Sequence, residues 1–334
     1  MCRPLPQVQP TMLSEILALL ADGRFHSGEA LGEALGVSRA AVWKSLKRLE
    51  DDGYPLQRVR GKGYRLPPGA GLLDAELIRS RLPAELASRW QWLVYQQVDS
   101  TNAQAQRVQA PGQARPLIVL AEQQVAGRGR RGRQWASPFA QNIYLSLAEP
   151  VSVGGPGLEG LSLLVGLCLV QALEDAGYRG CQLKWPNDVL LDGAKLAGIL
   201  LEISGDLTGE AVVVIGVGVN VLLDAAATID QSWVSLYRSG QRATLDRNEL
   251  IATFLKRLAP SLQLFHEQGF APFRQQWMAR NAWAGKAVKV ISGSNELLGI
   301  DGGVNARGAL LLRTESGDVE ISGGEVSLRL NHAS

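Results

Sequence analysis

The chain has 334 residues, 46% of them hydrophobic, which is enough for about two ordinary domains with real cores. Disorder or a collagen-like fibre is therefore excluded as a description of the whole chain. With 34 Lys and Arg against 32 Asp and Glu, any nucleic-acid contact must come from a local patch rather than from overall charge.

In chain order, the opening run MCRPLPQVQP has early prolines and no apolar stretch, so it does not read as a secretory signal. Leu13, Ile16, Leu17 and Leu20 then follow the spacing of an amphipathic helix, with Thr11 or Ser14 near its start and Asp22-Gly23 at its end. A second short helix begins at Ser27 and is expected to bury Ala30, Leu31, Ala34 and Leu35. After the break at Gly36-Val37, Ser38 reads as the N-cap of a third helix with Ala41, Val42, Ser45, Leu46 and Leu49 inside and Gly53 as its end. Helix, turn and helix are followed by alternation around Gly61-Lys62-Gly63, from Leu56 to Leu66, which predicts the β-hairpin wing of a winged helix-turn-helix.

The outward residues of that third helix and wing are Arg39, Trp43, Lys44, Lys47, Arg48, Arg58, Arg60 and Lys62, beside the cap Ser38. A cationic face of this kind suits phosphates lining a major groove. Such charge also describes a solvated helix face, and winged helices serve as protein-contact modules too. The combination of helix, turn and wing favours DNA. Pro67-Pro68-Gly69 marks the linker out of the module.

Strands are predicted at Leu93 to Val98, Leu117 to Glu122, Ile143 to Ala148, Leu196 to Ile203 and Val212 to Val219, with a helix from Leu161 to Asp175. The mixed order predicts an α+β sheet with helices on one side. A longer helix is expected to bury Ile251, Phe254, Leu255, Leu258, Leu262 and Phe265, opened by the pair Asp246 and Glu249; Pro260 is expected to kink or divide it. The longest apolar run, Leu161 to Val170, is too short to span a membrane.

Cys2, Cys168 and Cys181 are too few and too far apart for a disulfide framework, and no C-x-x-C pair exists, so the cytoplasm is the expected compartment. His26, His266 and His332 fall in unrelated stretches, which argues against zinc and against a Ser-His-Asp triad. Gly127-Arg128-Gly129-Arg130-Arg131-Gly132 matches a dinucleotide fingerprint in letters only. Arg133 to Pro138 has no helical period and leads to another strand, so the segment reads as a loop crowded with Arg128, Arg130, Arg131 and Arg133. Such a loop is costly unless an anion organises it, and guanidinium groups with free backbone N–H suit phosphate or carboxylate. The alternative is a solvated basic turn, against which the glycines argue.

Lys184-Trp185-Pro186-Asn187-Asp188 sets a cation, an aromatic and a carboxylate around a rigid turn, and Lys195 enters the strand beyond it. Taken singly, each lysine is more often surface charge. Gly216-Val217-Gly218-Val219-Asn220 closes an apolar strand with glycines that leave room for a flat ligand against the backbone.

Asp99-Ser100-Thr101-Asn102, the run GRGRRGRQW from Gly127 to Trp135, KWPND from Lys184, KLAGIL from Lys195 and GVGVN from Gly216 stand in an order and spacing that resembles the biotin protein ligases. With a winged helix ahead and a small β domain behind, essentially the whole chain is similar to the members that double as repressors of the biotin operon. The resemblance implies a central domain of the biotin/lipoyl ligase type, and ATP and biotin as substrates with Mg²⁺ on the ATP. It implies formation of biotinyl-5′-AMP and transfer of biotin to a lysine of the biotin carboxyl carrier protein of acetyl-CoA carboxylase.

By the same resemblance Ser100, Thr101, Asn102 and Gln124 hold the ureido end of biotin while Arg128 and Gly129 close on it. Arg130 and Arg131 retain the adenylate, Lys195 bridges biotin's carboxylate and the phosphate, and Trp135 covers the pocket. Trp233 would stack on adenine and Asn220 would contact it. Asp188 would orient or deprotonate the incoming lysine, so that Arg128, Arg130, Lys195 and Asp188 form the catalytic set. Val125 departs from the polar residue many relatives carry after the glutamine, which is expected to alter packing more than activity.

Short strands at Ala287 to Ile291, Glu296 to Ile300, Ala309 to Arg313, Val319 to Ile321 and Val326 to Leu330 predict a small SH3-like barrel. The expected division is a winged helix over 1–66, a linker over 67–73, a catalytic domain over 74–283 and the barrel over 284–334. A ligase joined to a DNA-binding module implies a sensor: a homodimer formed when adenylate is bound, repressing biotin biosynthesis genes at their operator, with no membrane partner. A repressor that senses a small molecule without ligase activity, and a lipoyl ligase, are the rival readings.

Overall fold

The computed structural model describes residues 11–51, 54, 56–67, 69–109, 115–151, 157–205, 211–224, 229, 231–242, 246–323 and 326–331. The opening run with Cys2, and Gly53, Pro68 and His332, lie outside the described residues.

Local capping builds the N-terminal module. Thr11 Oγ1 accepts the Ser14 N–H at 3.2 Å to open α1 (Met12–Leu20), which buries Ile16, Leu17 and Leu20. Ser27 caps α2 (Gly28–Leu35), and Gly36, at φ 66°, ends it in the left-handed region open to glycine. Ser38 Oγ accepts the Ala41 N–H at 3.2 Å at the start of α3 (Arg39–Asp51), which buries Val42, Leu46 and Leu49. One expectation fails in α2: Leu31 is buried and Leu35 half-buried, but Ala30 and Ala34 are exposed. The chain entering α3 comes closest at Gly32, where an added Cβ would lie 2.7 Å from the Val37 carbonyl, so the inner line runs past the alanines. The wing is the antiparallel pair β1 (Gln57–Val59) and β2 (Gly63–Arg65), and His26 and Tyr64 exchange backbone hydrogen bonds at 2.9 and 2.8 Å to hold it on the helices.

Two short helices, α4 (Ala75–Ser80) and α5 (Ala84–Arg89), lead into a seven-stranded sheet. Its strands are β3 (Gln91–Val98), β4 (Leu117–Gln124), β5 (Ile143–Val151), β6 (Cys181–Lys184), β7 (Asp188–Leu191), β8 (Ala194–Gly205) and β9 (Ala211–Val219), in the order β3-β4-β5-β9-β8-β7-β6. β3 and β4 are parallel, joined through α6 (Thr101–Val108), and every other neighbouring pair is antiparallel. The five predicted strands are all present within three residues at each end, and β6 and β7 are additional.

Helices cover both faces of the sheet rather than one. α7 (Leu161–Asp175) and α9 (Arg247–Gln268) pack on the face bearing Ile118, Leu120, Leu145, Leu147, Val213 and Ile215. On the other face, Ala105 of α6 packs with Leu93, Leu117, Val119, Ala148, Val212 and Val214. The near-continuous apolar runs of β4 and β9 are the signature of strands buried on both sides. Pro260 does not divide α9, which runs unbroken from Arg247 to Gln268. A proline inside a helix costs about 3 kcal/mol, whereas burying each of Leu255, Leu258, Leu262 and Phe265 contributes roughly 1.5–3 kcal/mol, and the packing wins.

After α8 (Leu236–Ser239) and α10 (Arg274–Met278) come β10 (Ala287–Ser292), β11 (Asn295–Val304), β12 (Leu310–Thr314), β13 (Gly317–Ile321) and β14 (Val326–Leu330). Their order, β13-β12-β11-β10-β14, flanks the first strand with the second and the last, the SH3-like arrangement. This unit meets the seven-stranded sheet domain where Trp185 Nε1 donates to the Gly308 carbonyl at 3.1 Å. Among the described residues, no helix is long and apolar enough to cross a membrane.

Candidate active site

A cleft of about 1270 Å³ opens on the sheet face that carries α6, between the Gly127–Trp135 loop, the β6–β8 edge and β14. Its inner end is the N-terminus of α6. Arg107 donates to both oxygens of Asp99 at 2.7 and 2.6 Å, and these bonds pull the Asp99 carboxyl down to about 2. That clamp sets Ser100, Thr101 and Asn102, all buried, on the first turn. Gln124 Oε1 accepts the Thr101 N–H at 2.9 Å, and Gln124 Nε2 donates to Ser137 Oγ at 2.9 Å. Asn102 Nδ2 donates to Glu202 Oε2 at 2.8 Å, while Ser146 Oγ donates to Asn102 Oδ1 at 2.5 Å. Ser146 and Glu202 escaped the sequence reading; the only local signal was a polar residue within each apolar strand.

The arginine loop closes on itself through Gly129 N–H to the Arg133 carbonyl at 2.7 Å and Trp135 N–H to the Gly127 carbonyl at 2.9 Å. It opens no long helix, which agrees with rejecting the dinucleotide fingerprint. Groups of the protein itself already hold part of the loop. Arg128 pairs with Glu202 at 3.1 Å, Arg130 donates to Asn187 Oδ1 at 3.0 Å and the Val326 carbonyl at 3.2 Å, and Arg131 donates to Ser327 Oγ at 3.1 Å. The loop is thereby docked on β8 and on β14 of the C-terminal unit.

Facing it, Asp188 at the start of β7 is gripped by Lys195 at 2.7 Å and Lys184 at 3.2 Å. Burial pushes the Asp188 carboxyl up, but the two ammonium groups outweigh it and hold it below the usual carboxylate range. Burial pulls Lys184 below the ordinary lysine value despite Asp188. The lysine heads also lie over aromatic faces, Lys184 at 4.8 Å from Trp283 and Lys195 at 5.4 Å from Trp135.

The room left by the strand glycines is taken by the protein itself. A Cβ at Gly218 would stand 2.6 Å from the Trp135 ring, one at Gly198 3.2 Å from it, and one at Gly216 would collide with Asn102 Oδ1. Trp135 thus lies on the floor of the cleft rather than over its mouth. Val125 lines the rim and is exposed.

The fold brings together Ser100, Thr101, Asn102, Gln124, Arg128, Gly129, Arg130, Arg131, Trp135, Asp188 and Lys195 around one cleft. Two expected residues fall outside its lining. Asn220 is buried with Nδ2 donating to the Val234 carbonyl at 3.2 Å, and Trp233 is half-buried under Arg238 at 4.8 Å. Gln231 and Ser232 line the cleft beside Trp233.

On the N-terminal module, Arg39, Trp43, Lys44, Lys47 and Arg48 are exposed along α3 and Lys62 is exposed on the wing turn, whereas Ser38 serves the helix as its cap. Lys47 is paired with Asp51 at 2.7 Å.

Sequence profiles match three stretches: an HTH domain over residues 13–65, the biotin/lipoate A/B protein ligase family over 93–220 and the biotin protein ligase C-terminal domain over 284–329. The bifunctional ligase/repressor BirA of Salmonella typhimurium is 41% identical over 317 residues, covering 94% of this chain and 96% of its own. The biotin–[acetyl-CoA-carboxylase] ligase of Paracoccus denitrificans is 40% identical over 237 residues, covering 68% of this chain and 96% of its own. Among solved structures, the biotin protein ligase from Aquifex aeolicus in complex with biotin and ATP superposes with a TM-score of 0.63 at 31% identity, covering 73% of this chain and 100% of that one. Three matched stretches in this order, and a relative alike over nearly the full length, lead to one conclusion: the chain belongs to the biotin protein ligase family, in its bifunctional ligase/repressor form.

Proposed function

We propose that the protein is an ATP-dependent biotin protein ligase that makes biotinyl-5′-AMP and transfers biotin to a lysine of the biotin carboxyl carrier protein of acetyl-CoA carboxylase. The same chain represses biotin biosynthesis genes with biotinyl-5′-AMP as corepressor. The observation that carries the ligase reading is that Lys195, Lys184 and the arginine loop line one cleft with the polar pocket of Thr101, Asn102 and Gln124.

In the first step a biotin carboxylate oxygen bonds to the α-phosphorus of ATP as the bond to the bridging oxygen breaks and pyrophosphate leaves. Ser100, Thr101, Asn102 and Gln124 hold the ureido end, with Arg128 and Gly129 closing on it, and Trp135 lines the pocket. Lys195, Arg130 and Arg131 neutralise charge at the carboxylate and phosphate, so catalysis is positioning and electrostatics. No protein nucleophile is needed, and burial pushes both the Cys168 and Cys181 thiols up to about 12. In the second step the acceptor amine attacks the acyl carbon and AMP leaves. The depressed carboxyl of Asp188 is a poor proton acceptor, which favours an orienting role over a basic one. Mg²⁺ supplies charge screening on the ATP triphosphate; both Asp188 oxygens are occupied by lysines, and no cluster of three His, Cys, Asp or Glu side chains suited to a metal exists among the described residues. Asn220 and Trp233 are assigned to the adenine side, which needs the Trp233 ring to turn inward.

The α3 and wing cations are assigned to operator DNA, in a homodimer formed when adenylate is bound, and the protein to the cytoplasm. The profile matches support division into 1–66, 67–73, 74–283 and 284–334. The deciding experiment is biotin-dependent pyrophosphate release from ATP by the wild type and Lys195→Ala. Release that requires biotin, is not supported by lipoate and collapses in the variant is the expected result; no release by folded wild type would leave a sensor-only repressor. Equal operator affinity with and without biotin plus ATP in a gel-shift titration would remove the corepressor.

A further inference from the structure

We propose that Glu202 is a positioning and specificity-determining residue that fixes which end of the Asn102 amide serves the ligand and ties Arg128 to the same point. The inference rests on the ligase reading of the cleft. An asparagine amide has a donor end and an acceptor end of nearly equal shape, so its neighbours choose the orientation. Here Nδ2 meets two acceptors, Glu202 Oε2 at 2.8 Å and the Leu200 carbonyl at 3.4 Å, and Oδ1 meets the Ser146 hydroxyl at 2.5 Å above Gly216. A hydroxyl can serve either end, whereas a carboxylate and a carbonyl only accept, so Glu202, the nearer and the charged of the two acceptors, is the main determinant of the orientation. Asn102 Oδ1 keeps a second lone pair, and it offers an acceptor to a ring N–H such as a cyclic urea carries.

The same carboxylate also holds Arg128, whose guanidinium lies 3.1 Å from Oε1 and 3.2 Å from Oε2, with Arg128 46% and Glu202 25% exposed. An exposed pair of that kind contributes little to stability. The bond to Asn102, which is 3% exposed, is charge-assisted and more sheltered than the Arg128 pair. Orientation of the pocket, rather than stability of the fold, is what this carboxylate supplies.

The test uses the full-length protein with biotin and its two singly N-methylated derivatives, each lacking one ring N–H. In Glu202→Gln, whose amide can present either a donor or an acceptor, KM for biotin is expected to rise about tenfold while kcat and KM for ATP stay within about twofold. The preference for biotin over the more strongly rejected derivative is expected to fall by about fivefold or more. Glu202→Asp keeps an acceptor-only group, so it is expected to retain that preference even where KM rises. Unchanged biotin KM and preference in Glu202→Gln, or an equal loss toward all substrates, would overturn the proposal with the wild-type ligase intact. Should Glu202→Gln not fold, loss of the preference in folded Glu202→Asp would overturn it and retention would support it. Absence of biotin-dependent pyrophosphate release by the wild type would instead strike the ligase reading itself.

Discussion

Arg247 and Glu122 form an ion pair at 2.7 Å, 0% and 4% exposed, that binds the segment joining the N-terminal module to the sheet. Arg247 also donates to the Gly71 carbonyl at 2.8 Å, and Glu122 Oε1 accepts the Leu73 N–H at 2.5 Å. Glu122 lies on β4 two residues before Gln124, so one buried pair connects the linker to the strand that carries a pocket residue. Removing one partner leaves an unpaired buried charge. Arg247→Met is therefore expected to cost about 3–5 kcal/mol in denaturant unfolding, and Glu122→Gln with Arg247→Met to recover part of that loss. Additive losses in the double variant would contradict a coupled pair.

Trp135 needs Gly218 beneath it. In Gly218→Ala the new methyl group stands 2.6 Å from the ring, so the indole must move. We expect biotin-dependent pyrophosphate release to fall by about tenfold or more, with unfolding stability reduced by about 1–3 kcal/mol. Steady-state kinetics beside a denaturation curve would separate the two effects.

Asp188 raises Lys184 against the pull of burial, which still leaves it below the ordinary lysine value. Because the folded carboxyl titrates below its ordinary value, its contribution is fully present above about pH 3.8 and is lost only as pH falls through the folded value. Acidification from pH 8 to 5 should therefore show no limb from Asp188. Asp188→Asn removes the influence that raises Lys184, whose proton is then lost at lower pH. The alkaline limb of the kcat/KM profile for pyrophosphate release is expected to move to lower pH, and an unmoved limb would free Lys184 from any charge requirement.

Lys44 and Lys62 are exposed on α3 and on the wing turn. If each neutralises a phosphate, Lys44→Ala and Lys62→Ala should each lower the slope of log affinity against log salt by about 0.9 and leave pyrophosphate release unchanged. Operator titrations at several salt concentrations would read the slope directly.

Much of this was legible locally. The caps at Thr11, Ser27 and Ser38 and the 15-residue α7 follow from side chains within a few positions of one another. β6 and β7, four residues each, were too short to leave a pattern, and Ala30 and Ala34 look apolar whichever way α2 turns. The arginine loop was recognisable as a loop by its glycines, but its docking on Ser327 and Val326 was not.

Composition, periodicity and turn chemistry by themselves determined most of the helices and strands and the winged module, because each depends on neighbours along the chain, whereas the expected pocket residues came from the resemblance to the biotin protein ligases. Only the tertiary structure decided the seat of Trp135 on Gly218, the pairing of Glu202 with Asn102 and Arg128, and the Arg247 bridge to the linker. Those contacts join residues 74 to 176 positions apart, from Arg128–Glu202 to Arg247–Gly71. A buried polar atom takes whatever partner packing brings to it, and no local pattern records which partner that will be.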